Sequence, residues 1–308
     1  MSRVTCHVSL LVLAVVGLLV AGGCARPPSI GLTSIKARTL SELQGYLLNH
    51  RPDVDVFRDR GPFAVSVQNE RPVQVSATEQ VTADRYLSAP AEKAPLVIFL
   101  HGYENSKADH AYQAIHAASW GMHSLSIQLP NTGPWTTNGR TLARLVSAIH
   151  REPQLVDHRV DASRIVLVGH SFGASAVAVA LAEGAPAAGA VLLDAAGIGK
   201  ELPGFLRRIK RPVILLGADE YVSSTRNREY FYQFIPGGVA EVSIKDATHE
   251  DAQFPAEVIG ATEEPQIAFV SALTSAAFSL SFTGTSDYAW TSYGGAVRNG
   301  KLLNARRK

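Results

Sequence analysis

The strongest constraint on the fold is a series of short, uninterrupted apolar runs that recurs along most of the chain. Runs of this kind are typical of strands that are buried on both faces of a parallel sheet. Stretches of helical character separate them. The apolar runs are 95–102, 123–129, 164–169, 189–194, 211–217 and 240–246, and the helical stretches are 107–119, 139–151, 172–183, 200–209, 225–234 and 265–280. This alternation predicts an α/β fold in which one mostly parallel central sheet is flanked by helices.

The segment ahead of the first long run is less regular. A short helix is expected over 39–48, and three shorter strands over 63–67, 71–77 and 81–87, where valine or alternation is prominent. We find no internal repeat and no low-complexity tract. One domain over 39–308 is therefore the better interpretation, despite the length of 308 residues.

The first residues have the layout of an export signal. Arg3 is followed by an apolar run from Leu10 to Val20 and then by small residues up to Cys24. The run is too short for a comfortable membrane span, which needs ~20 residues. "VAGGC" also resembles the lipobox of bacterial lipoproteins, so we expect residues 1–23 to be a signal peptide and Cys24 to be lipidated. Ordinary secretion and a retained anchor are the alternatives, and 24–38 would form a linker.

Composition limits which ligands and binding partners the sequence indicates. The net charge is +2, and the single basic run is Arg306-Arg307-Lys308, so nothing indicates a nucleic acid. Only Cys6 and Cys24 are present, so a mature chain that starts at Cys24 has no internal disulfide. No H-x-x-x-H pair or cysteine cluster indicates a metal, and no cofactor is expected.

The stretch "VGHSFGAS" (168–175) carries the chemistry. It fits G-x-S-x-G, the sharp strand-to-helix turn that exposes a nucleophilic serine, here Ser171. Large side chains two residues away on either side would collide, which explains Gly169 and Gly173. The alternative is a tight turn in which Ser171 merely caps a helix.

A serine needs a base, and after Ser171 the sequence contains a single histidine, His249 in "KDATHED". The order serine–acid–histidine leaves the acid open. Asp219, at the end of the next-to-last strand, is our first choice because one helix and one strand separate it from each partner. Asp194, one strand earlier, is the second choice. Three acidic residues close to the histidine remain as weaker candidates: Asp246, Glu250 and Asp251.

An oxyanion in this geometry is bound by the amide after the nucleophile and by one from the loop after the first central strand. These amides belong to Phe172 and to Tyr103 in "FLHGYENS". We expect His101 to form structural hydrogen bonds.

These motifs resemble the α/β-hydrolase superfamily over about Phe63 to Phe282. Within that superfamily the chain is similar to lid-less bacterial cutinases, polyesterases and lipases, and it also resembles chlorophyllases and platelet-activating-factor acetylhydrolases. The matching elements are "HGY", "ASWG", "GHSFG", "GAD" and "THED". Secreted polyesterases commonly carry a C-terminal disulfide, which this chain cannot form, so polyester cleavage is implied less strongly than ester hydrolysis.

The resemblance implies a serine hydrolase that cleaves carboxylic esters, including lipidic or polymeric ones. We expect the protein to be a monomer. Only sixteen residues, 195–210, lie where large cap domains are often inserted, so the site is expected to be open. Trp135 and Tyr221 are the candidate substrate-binding residues, with ordinary loop packing as the alternative. Two other functions remain open: an exported serine peptidase or amidase, and a non-catalytic, lipid-anchored binding protein.

Overall fold

The structure is a computed structural model that describes residues 34–220, 228–253 and 263–308. These residues form one sheet of nine strands in the order β1-β2-β4-β3-β5-β6-β7-β8-β9. In chain order the strands are β1 (Val65–Gln74), β2 (Gln80–Ser88), β3 (Ala94–Leu100), β4 (His123–Gln128), β5 (Val160–His170), β6 (Gly189–Leu193), β7 (Val213–Gly217), β8 (Val239–Ile244) and β9 (Leu302–Arg307).

The central strands β3 to β8 pair in parallel, whereas β1, β2 and β9 join antiparallel at the two edges. All residues of β3, β6, β7 and β8 are buried, as the uninterrupted apolar runs require. By contrast, β1 at the edge is mostly exposed. The predicted α/β architecture, with one mostly parallel central sheet flanked by helices, is therefore confirmed.

Helices cover both faces of the sheet. They are α1 (Leu40–His50), α2 (Ala111–Ser119), α3 (Trp135–Arg151), α4 (Phe172–Ala182), α5 (Leu202–Leu206), α6 (Arg228–Phe234), α7 (Glu264–Thr283) and α8 (Asp287–Arg298). Successive strand residues point to opposite faces. Val97 and Phe99 belong to the core that also contains residues of α1, α2, α7 and α8, whereas Leu96 and Ile98 belong to the core that contains residues of α3 to α6.

Helix α7 is the one described helix that is long and apolar enough to cross a membrane. Its apolar window is 72% buried inside the protein, and it packs along the sheet in one of the two cores. We therefore interpret α7 as a core helix.

Three elements differ from the prediction. Strand β1 runs through both of the first predicted strands, because a bulge between Gln68 and Arg71 lets one strand keep pairing with β2. Helix α8 and strand β9 were not predicted. Strand β9 reads "LLNARR", without the apolar pattern of a buried strand, because it lies at a sheet edge where polar side chains reach solvent.

The sheet order decides where a site can form. The chain passes from β3 to β4 on one side and then to β5 on the other, so the loops after β3 and β5 diverge at this point. Ligands of open α/β sheets bind beside such a reversal, at the carboxyl ends of the strands. Between β6 and β7 the chain carries only the short helix α5, and no large cap lies there.

Candidate active site

The turn between β5 and α4 holds Ser171 in a strained conformation, with φ 53° and ψ −124°. The two flanking glycines make this turn possible. A Cβ at Gly173 would lie 2.3 Å from the carbonyl oxygen of His101, and one at Gly169 would lie 2.5 Å from the carbonyl oxygen of Gly173. No side chain fits at either position, so close backbone packing explains why the motif has glycine at both.

The loop after β6 is bound to the same turn. The amide of Ser171 donates to Leu193 O at 3.0 Å, and the amide of Ala196 donates to Ser171 O at 3.0 Å. Asp194 lies between these two bonded residues. The backbone therefore holds the first residue after β6 beside the serine.

His249 reaches this place from the loop after β8. Its Nδ1–H donates to Asp194 Oδ2 at 2.5 Å. Its ring lies 4.5 Å from the ring of His170, whose Nε2–H donates to the carbonyl of His249 at 3.1 Å. Ser171, Asp194 and His249 thus follow the carboxyl ends of β5, β6 and β8, respectively.

The first choice of acid is corrected by this geometry. His249 pairs with Asp194, which was the second choice, and Asp219 has another task. Its carboxylate accepts a hydrogen bond from the amide of Asp246 at 2.8 Å, and its own amide donates to Ala247 O at 3.0 Å. Asp219 therefore binds the loop after β7 to the loop after β8.

Local backbone geometry explains why spacing along the chain favoured Asp219 although His249 binds Asp194. Leu193 and Leu216 are paired in register, so β6 and β7 end side by side and each is followed by an acidic residue. Asp194 comes directly after its strand and has a positive φ of 34°. This turn directs its carboxylate toward the histidine, a detail that the spacing of residues along the chain does not contain.

Asp194 is only 1% exposed, and its second oxygen is also bound. Oδ1 accepts the amide hydrogen of Ala218 at 2.9 Å and lies 3.4 Å from Arg228 Nη1. Burial disfavours the imidazolium form of His249, but the hydrogen bond to Asp194 and the charges of Asp194 and Glu250 outweigh it, so the pKa of His249 is raised.

The loop after β3 lies against the serine on the other side. A Cβ at Gly102 would lie 2.9 Å from the Cβ of Ser171, so only glycine lets this backbone approach so closely. In the same loop, Glu104 N–H donates to Asn131 O at 2.9 Å. In the described turns and loops, the N–H of Tyr103 donates to no backbone carbonyl. Phe172 is the first residue of α4, where an amide has no acceptor within the helix.

His101 is fully buried, and its two ring nitrogens are occupied. Nδ1–H donates to Gly102 O at 3.0 Å, and Nε2 accepts from Leu129 N–H at 3.1 Å. Burial lowers the pKa of this imidazole, and the hydrogen bond that Nδ1–H donates to Gly102 O opposes that effect only in part. The ring is neutral and binds the loops after β3 and β4 together, which agrees with a structural role.

Residues 97–295 match the alpha/beta hydrolase family. This match spans more than half of the chain.

The chain belongs to the alpha/beta hydrolase family.

It is also similar to Cutinase 1 of Thermobifida cellulosilytica, with 24% identity over 206 residues, which is 65% of this chain and 76% of that protein. Ser171, Asp194 and His249 all lie within the residues that match the family.

Aromatic side chains form one border of the hydrolase site. The Trp135 ring stacks on Phe172 at 5.7 Å and 22°, and the Tyr103 ring meets Phe172 edge-on at 6.3 Å. Tyr103 is 46% exposed, whereas Trp135 is 8% exposed. Trp135 therefore supports the aromatic border from behind more than it faces solvent.

Several predicted residues fall outside the described part of the chain. These are the signal segment 1–23, Cys24, the start of the linker and Tyr221. Within the described ranges, no group of three or more histidine, cysteine or acidic residues could hold a metal ion.

The sequence analysis missed Arg228, which lies behind Asp194 in the first turn of α6. One signal was present. Glu241 lies in the otherwise apolar run of β8, and a charge at a buried position requires a cation beside it. The sequence did not indicate which arginine would supply that cation.

Proposed function

We propose that this hydrolase cleaves carboxylic esters through a covalent acyl-enzyme formed on Ser171. The observation that carries the proposal is the 2.5 Å hydrogen bond between His249 Nδ1 and Asp194 Oδ2, beside a serine in a strained strand-to-helix turn. Nδ1–H bonded to a carboxylate leaves Nε2 as the free base of the imidazole.

In the first half-reaction, Ser171 Oγ attacks the ester carbonyl while His249 Nε2 accepts the hydroxyl proton. The tetrahedral oxyanion is bound by the amides of Phe172 and Tyr103. Collapse of the intermediate expels the alcohol, which takes the proton from His249. Water then attacks the acyl group, with His249 again as base, and releases the carboxylic acid and free Ser171.

Two charges assist this sequence. Asp194 stabilises the imidazolium that forms in each half-reaction and keeps the proton of neutral His249 on Nδ1. The N-terminal end of α4 begins at the residue after the serine, so its positive dipole favours the developing oxyanion.

The substrate class follows from the border of the site and from the short β6–β7 connection. An exposed Tyr103 beside Phe172 gives an apolar face that is open to solvent, and the connection carries only α5. Such a face suits esters whose acyl or alcohol part is bulky, lipidic or polymeric. The similarity to Cutinase 1 favours esters over amides.

The test is hydrolysis of p-nitrophenyl esters from acetyl to palmitoyl, with a p-nitroanilide, a phospholipid and a polyester film alongside. We expect ester turnover, and Ser171→Ala, His249→Ala and Asp194→Asn should each lower kcat by about 10³- to 10⁶-fold. Asp219→Asn is the matched control, because it makes the same chemical change one strand away, and it should keep most of kcat. The double variant Ser171→Ala/His249→Ala should be little worse than either single variant.

Other outcomes identify the rival functions. Faster cleavage of the anilide than of any ester would indicate an amidase or peptidase. Full activity in a pure, folded Ser171→Ala sample, or no reaction of wild type with a fluorophosphonate, would refute the mechanism. Loss of activity in Asp219→Asn but not in Asp194→Asn would return the acid to Asp219.

The proposal includes a place of action. The lipobox-like "VAGGC" supports export and attachment to the cell envelope through a lipid on Cys24. From there, a monomeric hydrolase with an open site could reach esters in or near a membrane.

A further inference from the structure

A row of charged side chains of alternating sign extends from Asp194 to the protein surface. It continues through Arg228, Glu241, Arg306 and Glu229. The inner three are almost completely buried, with 1% exposure for Asp194, 6% for Arg228 and 2% for Glu241. Burying three charges is costly unless each is paired, so this arrangement needs an explanation.

Arg228 is the central member of the row. Its Nη1 donates to Ala218 O at 2.6 Å and lies 3.4 Å from Asp194 Oδ1, while its Nε lies 3.0 Å from Glu241 Oε1. The amide of Ala218 donates to the same Asp194 oxygen at 2.9 Å. The Ala218 amide and the Arg228 guanidinium therefore both contact Asp194 Oδ1, which leaves Oδ2 for His249.

A glycine at the end of β7 leaves the space that the Arg228 guanidinium occupies. A Cβ at Gly217, the last residue of β7, would lie 2.0 Å from Arg228 Nη1. Any larger residue at this position would displace the arginine from Asp194. The cation thus reaches the acid across a glycine.

We propose that Arg228, balanced by Glu241, is a positioning residue that holds Asp194 in the orientation in which it binds His249 and limits the charge that Asp194 presents to the imidazole. This inference rests on the proposed function, in which His249 and Asp194 act on the ester. Arg228 touches neither the serine nor the substrate, so its effect passes through Asp194.

Several charged groups surround His249, and they define what each variant should do. Asp194 faces Nδ1 from the loop after β6, Glu250 follows His249 in the chain, and His170 packs on the ring from the end of β5. Burial lowers the pKa of His170 well below its usual range, so that ring is neutral. The described parts of the loops after β7 and β8 add five further charged side chains, and these are Asp219, Glu220, Lys245, Asp246 and Asp251.

Removing the cation should strengthen the hold of Asp194 on the imidazolium. In Arg228→Met, the acid limb, which is the rise of kcat/KM with pH on the acidic side of the profile, should move to higher pH by about 1 unit. The value of kcat should fall roughly 10- to 100-fold because Asp194 loses the contact that orients it. Arg228→Lys keeps the charge but not the planar fork, so it should lower kcat while leaving the limb near its wild-type position.

Removing the balancing acid should act in the opposite direction. In Glu241→Gln, the charge of Arg228 bears more fully on Asp194 and His249, so the acid limb should move to lower pH. This variant keeps a side chain of the same size, and it tests the proposal even if Arg228→Met does not fold. Arg159→Met is the matched control. This partly buried arginine pairs with Asp157 just before β5, at the amino ends of the strands and so away from the site.

The decisive measurement does not need a substrate. The imidazole of His249 is titrated by NMR in ¹⁵N-labelled wild type and variants, with its signals assigned from His249→Gln. Shifts of opposite sign in Arg228→Met and Glu241→Gln, with none in Arg159→Met, support the proposal. An unmoved titration, or equal shifts in all three variants, overturns it. If wild type cleaves no ester, the proposed function fails, while the titration still decides the role of Arg228.

Discussion

Ser171 has φ 53° and ψ −124°, a backbone conformation that is unfavourable for every residue except glycine. Such a residue costs about 1–3 kcal/mol, so its neighbours must hold it in place. They do so through the amides of Ala174 and Ala196, which both donate to Ser171 O, and through Leu193 O, which accepts from Ser171 N. This conformation presents the Ser171 side chain at the carboxyl edge of the sheet.

The raised pKa of His249 predicts the pH dependence of activity. A general base must be neutral, so kcat/KM should rise with pH through that raised pKa, above the ordinary histidine value of about 6.5, and then reach a plateau. Glu250 contributes to the raised value. In Glu250→Gln the pKa of His249 should fall, and the rise should move to lower pH by a fraction of a unit.

The control for this experiment is Asp251→Asn, the next acidic residue along the chain. The Asp251 carboxylate accepts from both the amide and the hydroxyl of Thr248 at 2.8 Å, and asparagine can still accept these bonds. Profiles measured at low salt with a soluble short-chain ester should show the shift in Glu250→Gln alone. Equal shifts in both variants would mean that the total charge of the loop matters rather than the position of Glu250.

The β5–turn–α4 unit shows how an element positions a site. Helix α4 is composed almost entirely of small and β-branched residues, "FGASAVAVALA", and it packs closely on its neighbours. A Cβ at Gly139 of α3 would lie 2.5 Å from the Cβ of Val179, so the two helices nearly touch along their backbones. Close packing of this kind leaves the start of α4 little freedom to move, which keeps the serine turn in register with the neighbouring loops.

This packing predicts unequal effects for two glycine substitutions of the same kind. Gly173→Ala places a methyl group 2.3 Å from His101 O, so it should lower the free energy of unfolding by at least about 2 kcal/mol and abolish activity. Gly45→Ala, inside α1 with no atom within 4 Å of the new Cβ, should stabilise the protein by about 1 kcal/mol. Urea unfolding of both variants measures the difference. A Gly173→Ala protein as stable as wild type would show that the turn is looser than described.

At the scale of the whole molecule, the order of the strands in the sheet brings the site residues close together. The serine, the aspartate and the histidine come from the ends of β5, β6 and β8, which occupy one stretch of the sheet with only β7 between the last two. Arg228 reaches the site from α6, after β7, so all four strands from β5 to β8 contribute a residue through the loop or helix that follows them. The edge strand β9 adds Arg306, which pairs with Glu241.

The proposed anchor belongs to this scale too. If Cys24 carries a lipid, the domain is held at a membrane through the residues that precede α1 at Leu40. Cys24→Ser should abolish labelling with a fatty-acid probe and move the protein from the membrane fraction to the soluble fraction, while ester turnover stays unchanged. Wild-type protein that is unlabelled and free in the medium would indicate ordinary secretion instead.

Much of the fold could be predicted because central strands and their helices have strong local signatures. The runs at 95–102 and 164–169 contain little besides apolar residues, since both faces of β3 and β5 are covered. Strand β9 and helix α8 have no such signature. An edge strand is stabilised by pairing with β8, and "LLNARR" acquires its conformation from that neighbour.

The sequence by itself was enough to select Ser171 as the proposed nucleophile and His249 as its proposed base. The turn motif requires glycine on both sides of Ser171 for steric reasons that are local to the chain, and a single histidine follows it. Local rules of this kind can be read without coordinates, because every atom involved lies within a few residues or has no competitor.

Only the tertiary structure decided which acid binds His249 and which cation supports it. Asp194 and Asp219 both follow buried parallel strands, and their distances along the chain favoured Asp219. The positive φ of Asp194, the space above Gly217 and the placement of Arg228 reverse that choice. Each of these depends on how β6, β7 and α6 pack together in space. Hydrogen-bond partners are set within a fraction of an ångström, and separation along the chain carries no information at that precision.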